Sequence, residues 1–303
     1  MISGREEIAP GTAVAVAATP RFGQRFAASP VWRAFRRSRT ALIGLAIITI
    51  FLLTALLAPL LAPHDPTAFS LGDQLALPSF AHPLGTDELG RDMLSRLIWG
   101  SRITLVMTLG AVLLAVAAGA FLGIMAGFRG GWADTAIMRC MDVLLAMPTF
   151  LLAVAIIAAL GVGTTNVILA VGISSMPMFA RIARGSTISV KQEDYVMAVR
   201  AVGASTNRIM WRHILPNVAS ALLVQTTLRL ATAILTASGL SFLGLGPQPP
   251  TPEWGAMLSA GRNYITSSPQ LATIPGIAIL LVAIGFNLLG DGLRDALDPR
   301  LKR

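Results

Sequence analysis

Residues 103–128 read ITLVMTLGAVLLAVAAGAFLGIMAGF, with no charged side chain among them. A helix crossing the hydrocarbon core of a bilayer needs about 20 consecutive apolar residues, and this run supplies them. To either side the pattern repeats. Residues 40–64 are uncharged, and so are residues 143–180, a run too long for one crossing. Gly161, Val162, Gly163, Thr164 and Thr165 interrupt that second run where a turn should fall, which predicts spans near 135–160 and 166–182. Further spans are expected near 218–243 and 272–293. The reading is an all-α integral membrane protein with six transmembrane helices.

Composition agrees. Of 303 residues, 54% are hydrophobic and 13% charged, against about 25% charged in soluble domains. Only Lys191 and Lys302 are lysines, and neither completes the G-x-x-x-x-G-K-S/T loop that cradles nucleotide phosphates. Any ATP that drives this chain is therefore hydrolysed on another polypeptide. The single Cys140 excludes a disulfide framework. His64, His82 and His213 are far apart in sequence and form no H-E-x-x-H, so neither a metal site nor a cofactor is expected.

The net charge of +9 orients the spans and does not mark a nucleic-acid partner. Arg5, Arg21, Arg25, Arg33, Arg36, Arg37 and Arg39 precede the first span, so the tail 1–39 is expected in the cytoplasm. Helix 40–62 is then an uncleaved anchor, because its run exceeds the 7–15 residues of a signal peptide. Six crossings return the tail 294–303, with Arg294, Arg300, Lys302 and Arg303, to the same side. The connection 183–217 carries Arg184, Lys191, Arg200, Arg208 and Arg212 and is placed there too. The segment 63–101 is acidic and is placed outside. Within it, residues 87–100 repeat apolar side chains at helical spacing, predicting an amphipathic helix at the outer boundary with Trp99 in the aromatic belt. The loop 246–271, stiffened by Pro247, Pro249, Pro250 and Pro252, reads as a landing surface for a partner or as a rigid lid.

The 183–217 connection is long for a cytoplasmic loop. Tyr195, Val196, Val199 and Val202 share one side of a helix over 190–202. Gly203 can end it with positive φ, Ser205 can cap a second short helix over 206–213, and Pro216 suits the first turn of the next span. An apolar stripe on a projecting helix–glycine–helix reads as a docking element; a solvated connector is the alternative.

Residues 195–203, YVMAVRAVG, and 213–216, HILP, resemble the "EAA" loop of bacterial ATP-binding-cassette importer permeases. The copy departs from the pattern: Met197 stands where that motif has Glu, and Val199 where it has its second Ala. Residues 82–92 (HPLGTDELGRD), 241–255 (SFLGLGPQPPTPEWG) and 286–299 (FNLLGDGLRDALDP) resemble the dipeptide/oligopeptide/nickel branch, in its second, C-type permease. The resemblance implies a type I importer permease fold with a five-helix core over 102–293. It implies a coupling loop in which Tyr195, Ala198, Arg200, Gly203, Leu215 and Pro216 meet an ATPase. It also implies four kinds of partner: a second (B-type) permease, one or two ATP-binding subunits, an extracytoplasmic substrate-binding protein and a peptide substrate. Residues 138–142, MRCMD, and the stretch before Pro216 lean towards members that move dipeptides or glutathione, with nickel as the alternative cargo.

Arg229 lies near the middle of the span 218–243, where a charge costs about 2.5–3.5 kcal/mol to insert. Gln225, Thr232 and Thr236 share its face, a stripe expected to line a water-filled substrate path. Arg229 either attracts a peptide carboxylate or pairs with an acid of the sister permease. Arg139 and Asp142 are read as a local i,i+3 ion pair, with proton relay as the alternative. Gly123, Gly127, Pro148, Pro177 and Pro275 are either gating hinges or packing and kink positions. A proton-coupled transporter should show internal repeats and buried acids, and an intramembrane hydrolase a nucleophile with its base; neither pattern is visible.

Overall fold

The computed structural model describes residues 35–297; the predicted tail up to residue 34 and the last six residues, 298–303, lie outside it. The described chain is helical: α1 Arg39–Leu56, α2 Ala58–Leu61, α3 Met93–Arg129, α4 Gly131–Leu145, α5 Thr149–Leu160, α6 Thr164–Lys191, α7 Asp194–Ala201, α8 Thr206–Ile209, α9 Leu215–Phe242, α10 Trp254–Gly261 and α11 Gln270–Leu297. Five helices are long and apolar enough to cross a membrane unaided, and α4 with α5, bent by 92° at their break, pass the same test as a pair, which makes six crossings when the pair counts as one span.

That bend divides the span predicted near 135–160 at Pro148, one of the positions read above as a hinge or kink. Met147 precedes a proline and is pushed out of the helical region, and Pro148 itself cannot donate to a helical carbonyl. Pro148 accordingly takes an extended ψ of 131° and caps the start of α5. The turn at Gly161–Gly163 falls as expected, with φ +90° and +132° at the two glycines. The fourth and fifth crossings both run further towards the 183–217 connection than the charge-free stretches suggested, α6 as far as Lys191 and α9 from Leu215.

The helix expected to lie along the membrane over 87–100 is not separate. Residues 87–92 form a tight turn closed by a bridge between Thr86 and Asp92. Asp92 accepts from the Ser95 N–H at 2.7 Å and starts α3, which continues without a break for 37 residues. Met93 and Ile98 face the protein interior and not lipid headgroups. Buried Asp87, Arg91 and Arg96 brace this turn, with Arg91 to Asp87 at 2.7 Å and Arg96 to Asp87 at 3.3 Å.

The tightest helix pairing joins α3 to α6 through Gly119, Gly123 and Gly127, one turn apart. A β-carbon at Gly119 would sit 2.7 Å from the β-carbon of Phe179, and one at Gly127 would sit 2.8 Å from the Arg184 carbonyl. At Gly123 it would overlap the Ala180 carbonyl. Small residues let backbones approach where lipid supplies no hydrophobic drive for association. Gly123 and Gly127 are therefore packing positions here. α1 lies outside this pair, against α11 and one side of α3.

Replacing Gly123 with alanine should lower stability by about 1–3 kcal/mol, because backbone must move to admit the methyl group. Gly185, on the exposed side of α6 with open space around it, should instead gain up to about 1 kcal/mol on Gly185→Ala. Thermal unfolding of the purified complex in detergent reads both; equal effects would contradict the close pairing.

Candidate functional site

The connection between α6 and α9 is built on an anchored base with an exposed tip. At the base, the Lys191 ammonium donates to the Phe128 carbonyl at 2.8 Å and lies over the Phe128 ring. Arg184 on α6 donates to Asp134 on α4 at 2.6 Å. Val196 and Ile209, 3% and 2% exposed, pin α7 and α8 to the core. The Asn217 amide donates to the Tyr195 hydroxyl at 3.1 Å and to the His213 carbonyl at 2.7 Å, so Tyr195 ties α7 to the first turn of α9.

α7 ends in a Schellman turn. The Ala204 N–H donates to the Val199 carbonyl at 3.2 Å and the Gly203 N–H to Arg200 at 3.0 Å, with Gly203 at φ +86°. A β-carbon there would meet nothing, so glycine is needed for its dihedral angle alone. The turn swings Val202 outward to 88% exposure, which corrects the stripe that grouped it with Val196 and Val199. Ala198, Val202, Gly203, Arg208, Arg212 and His213 line an open groove of about 540 Å³. Arg200 is also exposed and lies 6.0 Å from the Phe128 ring.

Ser205 caps α8 by accepting from the Arg208 N–H. The chain then passes through a π-helical turn, Met210–Ile214, straight into α9. The Leu215 N–H donates to the Met210 carbonyl, five residues back. Pro216 lacks an N–H and crowds the carbonyl four residues before it, and the wider turn accommodates it without breaking the rod. Leu215 is half-buried and Pro216 exposed at this junction.

The same rod carries the polar face. About 20 Å along the axis from Pro216, at 1.5 Å per residue, lies Arg229, flanked by Gln225, Thr232 and Thr236. None of the four is buried, whereas Leu230, Ala231, Ala233, Ile234 and Ala237 on the other side are. Among the described residues no acid lies within ion-pair distance of Arg229. The Thr232 and Thr236 hydroxyls donate to the carbonyls of Arg229 and Thr232 at 3.0 and 2.8 Å.

Residues 119–303, which take in the glycine-stripe pairing, the exposed turn and the polar rod, match the family described as binding-protein-dependent transport system inner membrane component. The chain belongs to that family. Residues 29–79 match the N-terminal TM domain of oligopeptide transport permease C. The chain is 44% identical to the dipeptide transport system permease protein DppC of Alkalihalophilus pseudofirmus, over 93% of this chain and 94% of that one. It is 47% identical to the glutathione transport system permease protein GsiD of Escherichia coli O6:K15:H31, over 89% and 90%. Its fold is similar to that of the inward-facing MetNI methionine ABC transporter, with a TM-score of 0.55, 17% identity, and coverage of 68% of this chain and 98% of that one. The protein is thus a multi-pass inner-membrane permease with the type I importer fold, and it is not an enzyme.

Three other features of this permease differ from the sequence reading. Asp142 pairs with Arg181 on α6 at 2.7 Å, not with Arg139, because the fold lays α6 beside α4. The loop 246–271, read as a landing surface or a rigid lid with no helix of its own, contains α10 and is anchored at its start: Trp254 is buried and donates to the Leu97 carbonyl at 2.9 Å. Fully buried Glu253 caps α10, and burial pushes its carboxyl pKa up. Two of the three histidines read as far apart are brought together, with the His64 and His82 rings 4.9 Å apart beside Asp92.

Gly203→Val forces a β-branched residue into the left-handed region, costing about 1–3 kcal/mol, and should abolish transport and substrate-stimulated ATP hydrolysis in the assembled importer. Gly203→Asn, which tolerates that region, should keep most of both. Wild-type transport by the valine variant in reconstituted vesicles would overturn the role of the turn.

Proposed function

We propose that this permease is one of two membrane-spanning halves of an ATP-driven importer of short peptides, di- or oligopeptides or glutathione. ATP is bound and hydrolysed by one or two partner subunits. Substrate is delivered by an extracytoplasmic binding protein, and a second, B-type permease completes the path within the lipid bilayer. Tyr195, Ala198, Arg200, Gly203, Leu215 and Pro216 form the ATPase-coupling site, and Gln225, Arg229, Thr232 and Thr236 line the substrate path.

The continuous rod from α8 through the π turn into α9 carries this reading. Motion imposed at the exposed Gly203 turn is handed directly to the helix that bears the polar face. Closure of the ATPases then biases the face between outward- and inward-open arrangements, a two-state change driven by differential affinity. An exposed apolar tip flanked by Arg208 and Arg212 suits a cleft with apolar walls and acidic edges. The relatives described above are named for dipeptide and glutathione transport, which favours peptide over nickel as cargo.

Among the described residues Arg229 has no acid to pair with, and it lies on the face opposite the buried Leu230, Ala233 and Ile234, so it meets water, the partner permease or a passing carboxylate. Arg229→Gln should weaken import of peptides with a free C-terminal carboxylate at least about tenfold more than import of amidated ones, a difference of about 1.4 kcal/mol. Equal loss for both peptide types in a stably assembled complex would refute carboxylate contact.

Both termini and residues 185–215 are placed in the cytoplasm, and residues 63–100 and 246–271 outside, on the distribution of arginine. In a Cys140→Ala background, a cysteine at position 191 should resist membrane-impermeant thiol reagents in intact cells, and one at position 80 should react. The reverse pattern would invert the topology.

A further inference from the structure

We propose that His64, His82 and Asp92 form a binding site for a divalent transition-metal ion of the zinc class on the loop side of α3. Three positions of the one excursion between the first two crossings converge there: His64 just past α2, His82 in the loop and Asp92 at the N-cap of α3. One ligand atom from each residue lies within 4.8 Å of the other two. The His82 Nδ1 sits 2.9 Å from one Asp92 carboxylate oxygen, and the His64 Nδ1 sits 3.8 Å from the other. Ligands about 2.0–2.1 Å from a tetrahedral ion stand about 3.3 Å apart; the two contacts, made to different oxygens of the carboxylate, fall on either side of that value.

The hydrogen bond from His82 accounts for that histidine without a metal. It does not account for His64. Among the described residues the His64 ring makes no hydrogen bond, yet its Nδ1 lies 3.8 Å from a nearly fully buried carboxylate, at the Asp92 oxygen that also accepts from the Ser95 N–H and hydroxyl. Its backbone N–H is fixed by the Ser95 hydroxyl at 3.0 Å, and the same hydroxyl donates to Asp92 at 2.7 Å. Ser95 therefore orients the Asp92 carboxylate and fixes the backbone that carries His64, as a second layer around a metal does. Two imidazoles and one carboxylate match the ligand preference of zinc, and less closely that of nickel or copper. Half-exposed His64 leaves the fourth position open to water. A bound ion clips the loop onto the head of α3, where the buried Asp87, Arg91 and Arg96 network already braces the chain.

The test uses the assembled importer carrying an affinity tag without histidine, stripped with chelator and titrated with Zn²⁺. Wild-type complex should bind one zinc equivalent more than a His64→Gln/His82→Gln variant. Each single variant should bind that equivalent at least about tenfold more weakly, and Co²⁺ should give the intense visible absorption of a four-coordinate centre. Zinc should raise the wild-type melting temperature and leave that of the double variant unchanged. If the double variant fails to assemble, His64→Gln serves as the comparison, since that side chain makes no hydrogen bond. Equal zinc content in wild type and variants, or a Co²⁺ spectrum unaffected by the substitutions, would overturn the site.

Discussion

Everything around the 183–217 connection of this permease depends on how closely α3 and α6 approach one another. In lipid the apolar tails compete as well for an apolar helix face as another helix does, so association rests on packing and polar contacts. The stripe Gly119, Gly123 and Gly127 removes the side chains that would hold the backbones apart, and Phe179, Ala183 and Thr187 close onto it. This contact fixes the height and rotation of α6. Arg184 then reaches Asp134, Lys191 reaches the Phe128 carbonyl, and α7 starts from a defined place.

From that base, rigidity passes outward and back. The Schellman turn at Gly203 satisfies the last carbonyls of α7 internally, so the exposed tip holds its shape without a partner. Tyr195, through Asn217, fastens α7 to α9. The π turn lets Pro216 stand inside a helical rod that would otherwise break there. The exposed Gly203 turn and the helix that bears the polar face around Arg229 thus belong to one stiff body.

Much of this was legible along the chain because its signals are local. Charge-free runs announced the crossings, Gly161 and Gly163 marked the turn between α5 and α6, and Gly203 and Ser205 marked the two caps. The misses were of another kind. Pro148 was legible as a hinge or kink, but nothing in the run gave the size of its 92° bend. Residues 87–100 have helical periodicity, but periodicity does not say that the helix starts only at Met93 or that it runs on into the span. The Asp142–Arg181 pair joins residues 39 apart in the sequence, and His64, His82 and Asp92 meet only once loop and helix are folded. Contacts of that separation leave no spacing to read.

The hydroxyls on the α9 face have a consequence for what that face offers a passing solute. Thr226, Thr232 and Thr236 each spend their one proton on a carbonyl of their own helix, leaving lone pairs directed away from it. If this face lines the path, most of its wall is an acceptor surface, and only Gln225 and Arg229 can donate. A zwitterion crossing it finds many weak, interchangeable partners for its ammonium group and a single strong one for its carboxylate. Such a wall is slippery at one end of the solute and selective at the other, which permits release as readily as it permits recognition.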